Sequence, residues 1–276
     1  MKLPAEEKAR LEGLCAQFRR DLIETLHARQ TGHPGGSLSV CEILTTLYFE
    51  EMNVDPKDPQ MADRDRLVLC KGHAAPMLYR VLAEKGFFPV EEMATLRCFE
   101  TRLQGHPCPL ETPGVDAATG PLGIGLSAAL GMSMALKLNN SPARVYAILG
   151  DGEINEGTVW EAAMSAAKFK LDHLIAVIDR NRVQLDGTTD NIMPTDPLDQ
   201  KWAAFGWNVI TCDGHDIAAL DQAFTQAKAN TGCPTVIIAE TVKGKGVSFM
   251  EGKNSWHGAV ISDESLALAL AELGGT

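Results

Sequence analysis

The feature that most constrains this fold is a series of short apolar runs, each closed by polar or glycine residues and separated by helical patterns. The runs are Val145–Leu149, Leu174–Ile178, Trp207–Thr211 and Thr235–Ala239. Helical segments at 156–169 and 216–229 lie among them, and another, Ser127 to Leu138, precedes the first. Short runs rich in β-branched residues that alternate with helices predict βαβ units and a buried, mainly parallel sheet. The expected fold is a three-layer α/β/α sandwich. Ligands of such sheets bind at the carboxyl ends of the strands. The polar motifs of this chain fall there: Gly150-Asp151-Gly152, Asp179-Arg180-Asn181 and Glu240-Thr241.

The first part of the chain reads as helical. Leu11, Leu14, Phe18, Leu22 and Leu26 recur at helical spacing and predict a long amphipathic helix over 5–30. The turn Thr31-Gly32-His33-Pro34-Gly35-Gly36 ends it, and Ser37 is the expected N-cap of a second helix running to Phe49. Further helices are expected at 75–85 and 90–99, then a Pro/Gly-rich loop from Gln104 to Gly120. No linker or internal repeat interrupts the chain, so residues 1–276 are expected to form a single domain with an N-terminal helical segment. The tail begins at Ser262-Asp263-Glu264 and continues through Leu266, Leu268, Leu270 and Leu273 to Gly274-Gly275, which predicts a capped terminal helix and a natural end.

Charge and cysteine usage exclude several function classes. A net charge of −11 and a pI near 5.1 argue against nucleic-acid binding. A phosphate-bearing ligand would need local positive charge or a metal ion. Met1 to Gly13 lacks the apolar core of a signal peptide, and no stretch reaches the length of a membrane span. Seven cysteines, an odd number with no Cys-x-x-Cys pair, read as reduced thiols in a soluble cytoplasmic protein. Cys15, Cys41 and Cys70 are expected as small core residues.

The strongest chemical signal is Gly150-Asp151-Gly152 followed, after twenty-eight residues, by Asn181. Asp151 closes one strand and Asn181 the next, so neighbouring strands would bring both to one sheet edge. A carboxylate and an amide oxygen, completed by carbonyls, suit Mg²⁺ or Ca²⁺ rather than zinc. Such an ion leaves positions for phosphate oxygens and supplies the positive charge that the acidic chain lacks. The glycines allow close backbone approach, and the helix that follows offers its N-terminal amides to the same anion.

His33, His73, His106 and His257 each lie in a Gly- or Pro-flanked motif. Together they suggest proton-sharing contacts to a hydroxyl-rich substrate, because imidazole both donates and accepts near neutral pH. His27 and His173 have no such context and read as structural, and His215 reads as a loop and N-cap residue. Gly123-Ile124-Gly125-Leu126-Ser127-Ala128 fits a dinucleotide fingerprint, but no strand precedes it, which argues against that reading. Lys243 and Lys245 follow the last strand, where phosphate contact and a solvated loop are both open.

At this point the chain resembles the thiamine-diphosphate enzymes, which share Gly-Asp-Gly followed by Asn. Within them it resembles the transketolases. Gly32-His33-Pro34-Gly35-Gly36, Lys71-Gly72-His73-Ala74, Gly105-His106-Pro107, Gly120-Pro121-Leu122-Gly123-Ile124-Gly125 and Trp256-His257-Gly258 lie in that family's order across almost the whole chain. The resemblance implies thiamine diphosphate as cofactor. Asp151, Asn181 and the Val183 carbonyl would hold Mg²⁺ (or Ca²⁺), and the Gly152 amide would meet the diphosphate. His73 and His257 would reach the diphosphate and the thiazolium, while His33 and His106 would line the sugar channel. Gly120, Leu122 and Gly123 would pass along the aminopyrimidine. Glu156 matches a glutamate that connects paired active sites.

The resemblance covers only the first part of a full-length transketolase. The glutamate that activates the aminopyrimidine lies in a separate pyrimidine-binding domain, and the chain stops at Thr276 with no segment for it. Two explanations fit: a second polypeptide carries that domain, or the chain is a piece cut from a longer enzyme. The capped tail favours the first, with an α2β2 heterotetramer acting on sugar phosphates. The implied reaction moves a two-carbon ketol unit from a ketose to an aldose. Neighbouring alternatives are dihydroxyacetone synthase, transketolases for modified sugars, deoxyxylulose-phosphate synthase, 2-oxo-acid dehydrogenase α-subunits, and a non-catalytic scaffold.

Overall fold

In the computed structural model, which describes residues 3–274, five strands form one parallel sheet among the described residues. They are β1 (Arg66–Leu69), β2 (Val145–Gly150), β3 (Leu174–Arg180), β4 (Asn208–Asp213) and β5 (Thr235–Glu240), in the spatial order β1-β2-β3-β5-β4. The four expected strands are all present, and the sheet is parallel as predicted. Strand β1 is additional to them. It is only Arg66-Leu67-Val68-Leu69, enclosed by Arg64, Asp65 and Lys71, so little apolar signal marks it.

Side chains alternate between two cores because successive strand residues point to opposite faces. Tyr146, Ile148, Ile175, Val177 and Ile237 face one core, while Val145, Ala147, Leu149, Ala176, Ile178 and Val236 face the other. The first core is covered by α1 (Ala5–Arg29), α2 (Pro34–Ser39), α3 (Cys41–Thr46) and α4 (Ala75–Lys85). The second is covered by α5 (Ile124–Leu138), α6 (Gly157–Lys168) and, after the short α7 (Thr189–Ile192), by α8 (Leu198–Ala204). Helix α9 (Ile217–Ala229) returns to the first core through Leu220 and Phe224, and α10 (Asp263–Glu272) packs on α1. This is the expected three-layer arrangement.

Local differences have local causes. The second helix starts at Pro34 rather than after Ser37, because proline at a first helical turn needs no backbone N–H partner. His33, not Ser37, occupies the N-cap position, and Ser37 is buried inside the helix. The expected run to Phe49 breaks at Val40 and ends in a wide π turn, Leu47–Glu51. The expected helix 90–99 is a 3-10 segment, Val90–Thr95, which gives way to Arg97 in a left-handed conformation (φ 58°). Helix α10 is capped by the Ser262 hydroxyl, which accepts from Ser265 N at 3.1 Å, as predicted; Gly275 lies outside the described residues. Cys15, Cys41 and Cys70 are buried and free. No helix among the described residues is long and apolar enough to cross a membrane.

Candidate functional site

Register decides where the site forms. Gly150 at the end of β2 pairs with Asp179 on β3, so Asp151 and Asn181 leave adjoining strands at one edge. Both are buried. Asp151 accepts a hydrogen bond from the Arg182 amide, which ties the two strand ends together, and Asn181 Oδ1 accepts the Val183 amide at 3.1 Å within its own turn. Asp151, Gly152, Asn181 and Val183 line one cavity of about 170 Å³, facing Lys71, His73, Lys243 and His257. Larger hollows beside Lys137 (about 360 Å³) and along Asp216–Gln226 (about 560 Å³) lie away from this edge and gather no such set of groups.

The cavity opposes carboxylates to cations. Burial, and then the Asp179 carboxylate, push the Asp151 carboxyl up to about 7, so a bound cation is what would keep it ionised. Behind it, Lys71 is fully buried and forms an ion pair with Asp179. Lys71 Nζ also donates to the Gly36 carbonyl at 3.0 Å. Burial disfavours ionised Asp179, but Lys71 and hydrogen bonds from Ser39 and Thr241 overcome this and hold its carboxyl low. Lys243 Nζ lies 2.9 Å from His257 Nδ1; burial and the Lys71 charge bring the Lys243 ammonium down to about 8.

Three of the four expected histidines form a cluster. Ring centroids are 5.4 Å apart for His33 and His73, 5.4 Å for His33 and His257, and 5.0 Å for His73 and His257. Burial is the first cause that holds His33 and His257 at about 4, reinforced by Arg97 for the former and Lys243 for the latter. His73 is held well below its ordinary value by burial and then Lys71. His106 stands on the neighbouring loop beside Gly120, where a side chain would come within 3.3 Å of its ring; burial and Arg97 lower it too. All four are therefore neutral near pH 7, able to donate through one nitrogen and accept through the other.

The Gly120–Gly123 loop is fastened to the strand ends by Glu153. One carboxylate oxygen accepts the Gly123 amide at 3.0 Å and the other accepts the Gly150 amide at 3.0 Å. Gly123 has φ 91°, and a Cβ there would lie 2.6 Å from Glu156 Cβ, so both backbone and space require glycine. Of this loop, Leu122 lines the cavity, while Gly120 and Gly123 do not. Glu156 stands apart, exposed at the N-cap of α6.

The site also draws on residues to which the sequence analysis assigns no role: Lys71, Asp179, Glu153, Gln184 and Arg97. Lys71 and Asp179 open motifs that do stand out and Glu153 directly follows one, which is the signal that could have found them. Lys243 and Lys245 take different roles. Lys243 lines the cavity, while Lys245 lies by Glu251 at 3.8 Å, facing another hollow. His215 is not an N-cap: Asp216 caps α9 by accepting Ala218 N at 3.0 Å. His215 instead accepts Val242 N at 2.8 Å and contacts Glu42 at 2.8 Å. His27 and His173 make structural contacts, to Asp263 at 2.8 Å and to the Ala143 carbonyl at 3.0 Å.

The residues present fit a divalent ion carrying a diphosphate. The oxygen donors Asp151 and Asn181 are hard ligands, and Lys243 stands opposite for the remaining anionic charge, Lys71 being paired with Asp179. Gly152 lies so close to Gln184 that a Cβ would approach its Cβ within 2.8 Å, leaving room only for backbone there. The buried Gln184 amide nitrogen on the same wall has no partner among the described residues, as a donor awaiting a ligand oxygen would.

Comparison with known proteins agrees with this geometry. The family model described as "Transketolase, thiamine diphosphate binding domain" matches residues 13–276. The chain is 46% identical over 269 residues to the 6-deoxy-6-sulfo-D-fructose transketolase subunit SqwG of Clostridium sp. (strain MSTE9), covering 98% of each. It is 44% identical over 265 residues to an apulose-4-phosphate transketolase subunit of Actinobacillus succinogenes, covering 95% of each. The transketolase of Leishmania mexicana superposes with a TM-score of 0.90 at 30% identity, over 96% of this chain but 41% of that one. The chain thus spans nearly all of its subunit relatives and about 41% of the long transketolases. With the strand-end motifs, the fold and the family match in agreement, this chain belongs to the transketolase family, as a member of its thiamine diphosphate-binding domain.

Proposed function

We propose that this chain is the diphosphate-binding subunit of a two-subunit transketolase. It would move a two-carbon ketol unit from a ketose (phosphate) donor to an aldose (phosphate) acceptor. The observation that carries this reading is the single cavity in which Asp151 and Asn181, at adjoining strand ends, face Lys71, Lys243, His73 and His257. Residues 1–276 would act as one diphosphate-binding domain with an N-terminal helical segment.

Thiamine diphosphate, when bound, supplies the nucleophilic carbon and the electron sink for breaking the sugar C–C bond. Asp151, Asn181 and the Val183 carbonyl would hold Mg²⁺ (or Ca²⁺), and the Gly152 amide and Lys243 would bind diphosphate oxygens. Gly120, Leu122 and Gly123 would border the aminopyrimidine, with Glu153 holding their loop in place. His73 and His257 would stand beside the thiazolium. His33 and His106, kept neutral, would exchange hydrogen bonds and protons with the sugar hydroxyls and carbonyl. Glu156, exposed at a helix start, suits contact with another polypeptide better than contact with the cofactor.

The relatives of matching length are named as subunits, which supports a partner subunit. In this reading the partner carries the pyrimidine-binding domain and the assembly is α2β2. Their names also point to modified ketoses as donors. The test is a ketol-transfer assay on the complex isolated from native cells, with thiamine diphosphate and Mg²⁺. Donors would be xylulose 5-phosphate, 6-deoxy-6-sulfo-D-fructose and apulose 4-phosphate, with ribose 5-phosphate or glyceraldehyde 3-phosphate as acceptor. Transfer from any donor that disappears on removal of the second chain supports the reading. A stable complex that transfers from none of them overturns it.

A further inference from the structure

The loop from Arg97 to His106 holds a cation that the proposed chemistry does not use. Arg97 has no carboxylate within salt-bridge distance among the described residues. Its backbone is also strained: φ is 58°, a left-handed region that a non-glycine residue keeps only where its surroundings enforce it. The amide that this conformation presents donates to the Leu103 carbonyl at 2.9 Å, which closes the loop on itself. Strain at a residue that borders a site is a reason to ask what the side chain holds.

The guanidinium joins two loops. One terminal nitrogen donates to Thr31 Oγ1 at 2.9 Å, in the turn that leads to His33. The other donates to the Gly105 carbonyl at 3.3 Å, one residue before His106, and lies 3.5 Å from His33 Nδ1. Gly105 lacks a side chain where the guanidinium passes, and a Cβ would sit 3.2 Å from Arg97 Nε. His106 is anchored separately, its carbonyl accepting from the Tyr79 hydroxyl at 3.0 Å. Arginine has only donors and does not lose its proton in proteins. Facing it, His33 Nδ1 serves as an acceptor, and the ring proton belongs on Nε2.

We propose that Arg97 is a positioning residue that fixes His33 as the neutral Nε2–H tautomer and sets its loop against the one bearing His106. His33 then carries a hydrogen-bond donor, rather than a lone pair, on the ring edge away from Arg97, within the cluster it forms with His73 and His257. The other groups facing His33 agree with a neutral ring. His106 and Lys243, with Arg97, all disfavour a proton there, and His73 and His257 are themselves neutral. The consequence for sugar transfer rests on the proposed function; the tautomer does not.

The test reads the histidine side-chain nitrogens by NMR on the full chain at neutral pH, without sugar. His33→Asn identifies the His33 signals. The wild type is expected to show His33 as a single Nε2–H species. Arg97→Met, which keeps much of the apolar stem, is expected to give a tautomer mixture. Arg97→Lys retains the charge but cannot bridge Thr31 and His33 together, and is expected to give a mixture as well. In the holoenzyme, Arg97→Lys should lower kcat about 10²-fold with cofactor affinity unchanged, the scale of a misplaced reacting group. An unchanged His33 tautomer in either folded variant overturns the proposal. A shifted tautomer in a protein without ketol transfer leaves the positioning role standing and removes the proposed function instead.

Discussion

Lys243 Nζ lies 2.9 Å from His257 Nδ1, across the cavity from Asp151. The pair places a cation of tunable charge beside an imidazole that can only accept from it. Burial, then repulsion from Lys71, bring the Lys243 ammonium down to about 8. The charged form binds an anion, so its contribution is present below that value and fades as pH rises through it. Thiamine diphosphate affinity, measured by calorimetry on the complex, should weaken above about pH 8 in the wild type. Lys243→Met should bind about 10- to 100-fold more weakly, the range for a charged hydrogen bond, and lose that pH dependence.

His106 stands at the side of the cluster formed by His33, His73 and His257, and does not line the cavity that holds Asp151. Its replacement should therefore act on sugar rather than cofactor. His106→Ala is expected to lower turnover with sugar phosphates by about 10²–10⁴-fold, the usual range for an acid–base group. The dissociation constant for thiamine diphosphate should stay within about threefold of wild type, because His106 lines no part of the cavity that holds Asp151 and Asn181. Steady-state kinetics and calorimetry on the same preparation separate the two.

Away from the cavity, Glu42 receives Arg19 at 2.6 and 2.8 Å and His215 at 2.8 Å, while Arg19 Nε donates to the Lys245 carbonyl at 3.0 Å. This buried network ties α1 and α3 to the segment that carries Lys243. Burial opposes the Glu42 charge, but Arg19 and then His215 overcome it and bring the carboxyl down to about 2. A depressed carboxyl stabilises the fold above its unfolded value and loses that contribution as pH falls toward about 2. The stabilisation at neutral pH is on the order of 3 kcal/mol. Glu42→Gln should lower stability by about 3–5 kcal/mol at neutral pH, because Arg19 is left buried and unpaired. The difference from wild type should shrink below about pH 4. Urea denaturation at both pH values measures it.

Much of this architecture is legible along the chain because its signals are local. Val145–Leu149 and Leu174–Ile178 are apolar enough to read as strands unaided, and their parallel register follows from the helices between them. That register is what turns Asp151 and Asn181 into one site. Strand β1 escapes such a reading because its four residues lie among charges. The helix expected over 90–99 is only a 3-10 segment that ends at Thr95, and Arg97, held by tertiary contacts to Thr31 and Gly105, takes a conformation that local preference disfavours. The Lys71–Asp179 pair joins residues 108 positions apart, and no pattern along the chain announces such a contact. Glu153 directly follows Gly152 and could be found from that, but its bond to Gly123 spans thirty positions.

The most direct test of the site is a thiamine diphosphate titration of the intact complex, with and without Mg²⁺, in wild type and Asp151→Ala. The wild type should bind only when the metal is present, and the isolated chain should bind weakly at best. Asp151→Ala should lose more than about 100-fold in affinity, since even partners that merely orient a metal ligand are worth about 10- to 100-fold. Metal-dependent binding retained at wild-type affinity in Asp151→Ala would contradict the assignment of the diphosphate and its ion to the ends of β2 and β3.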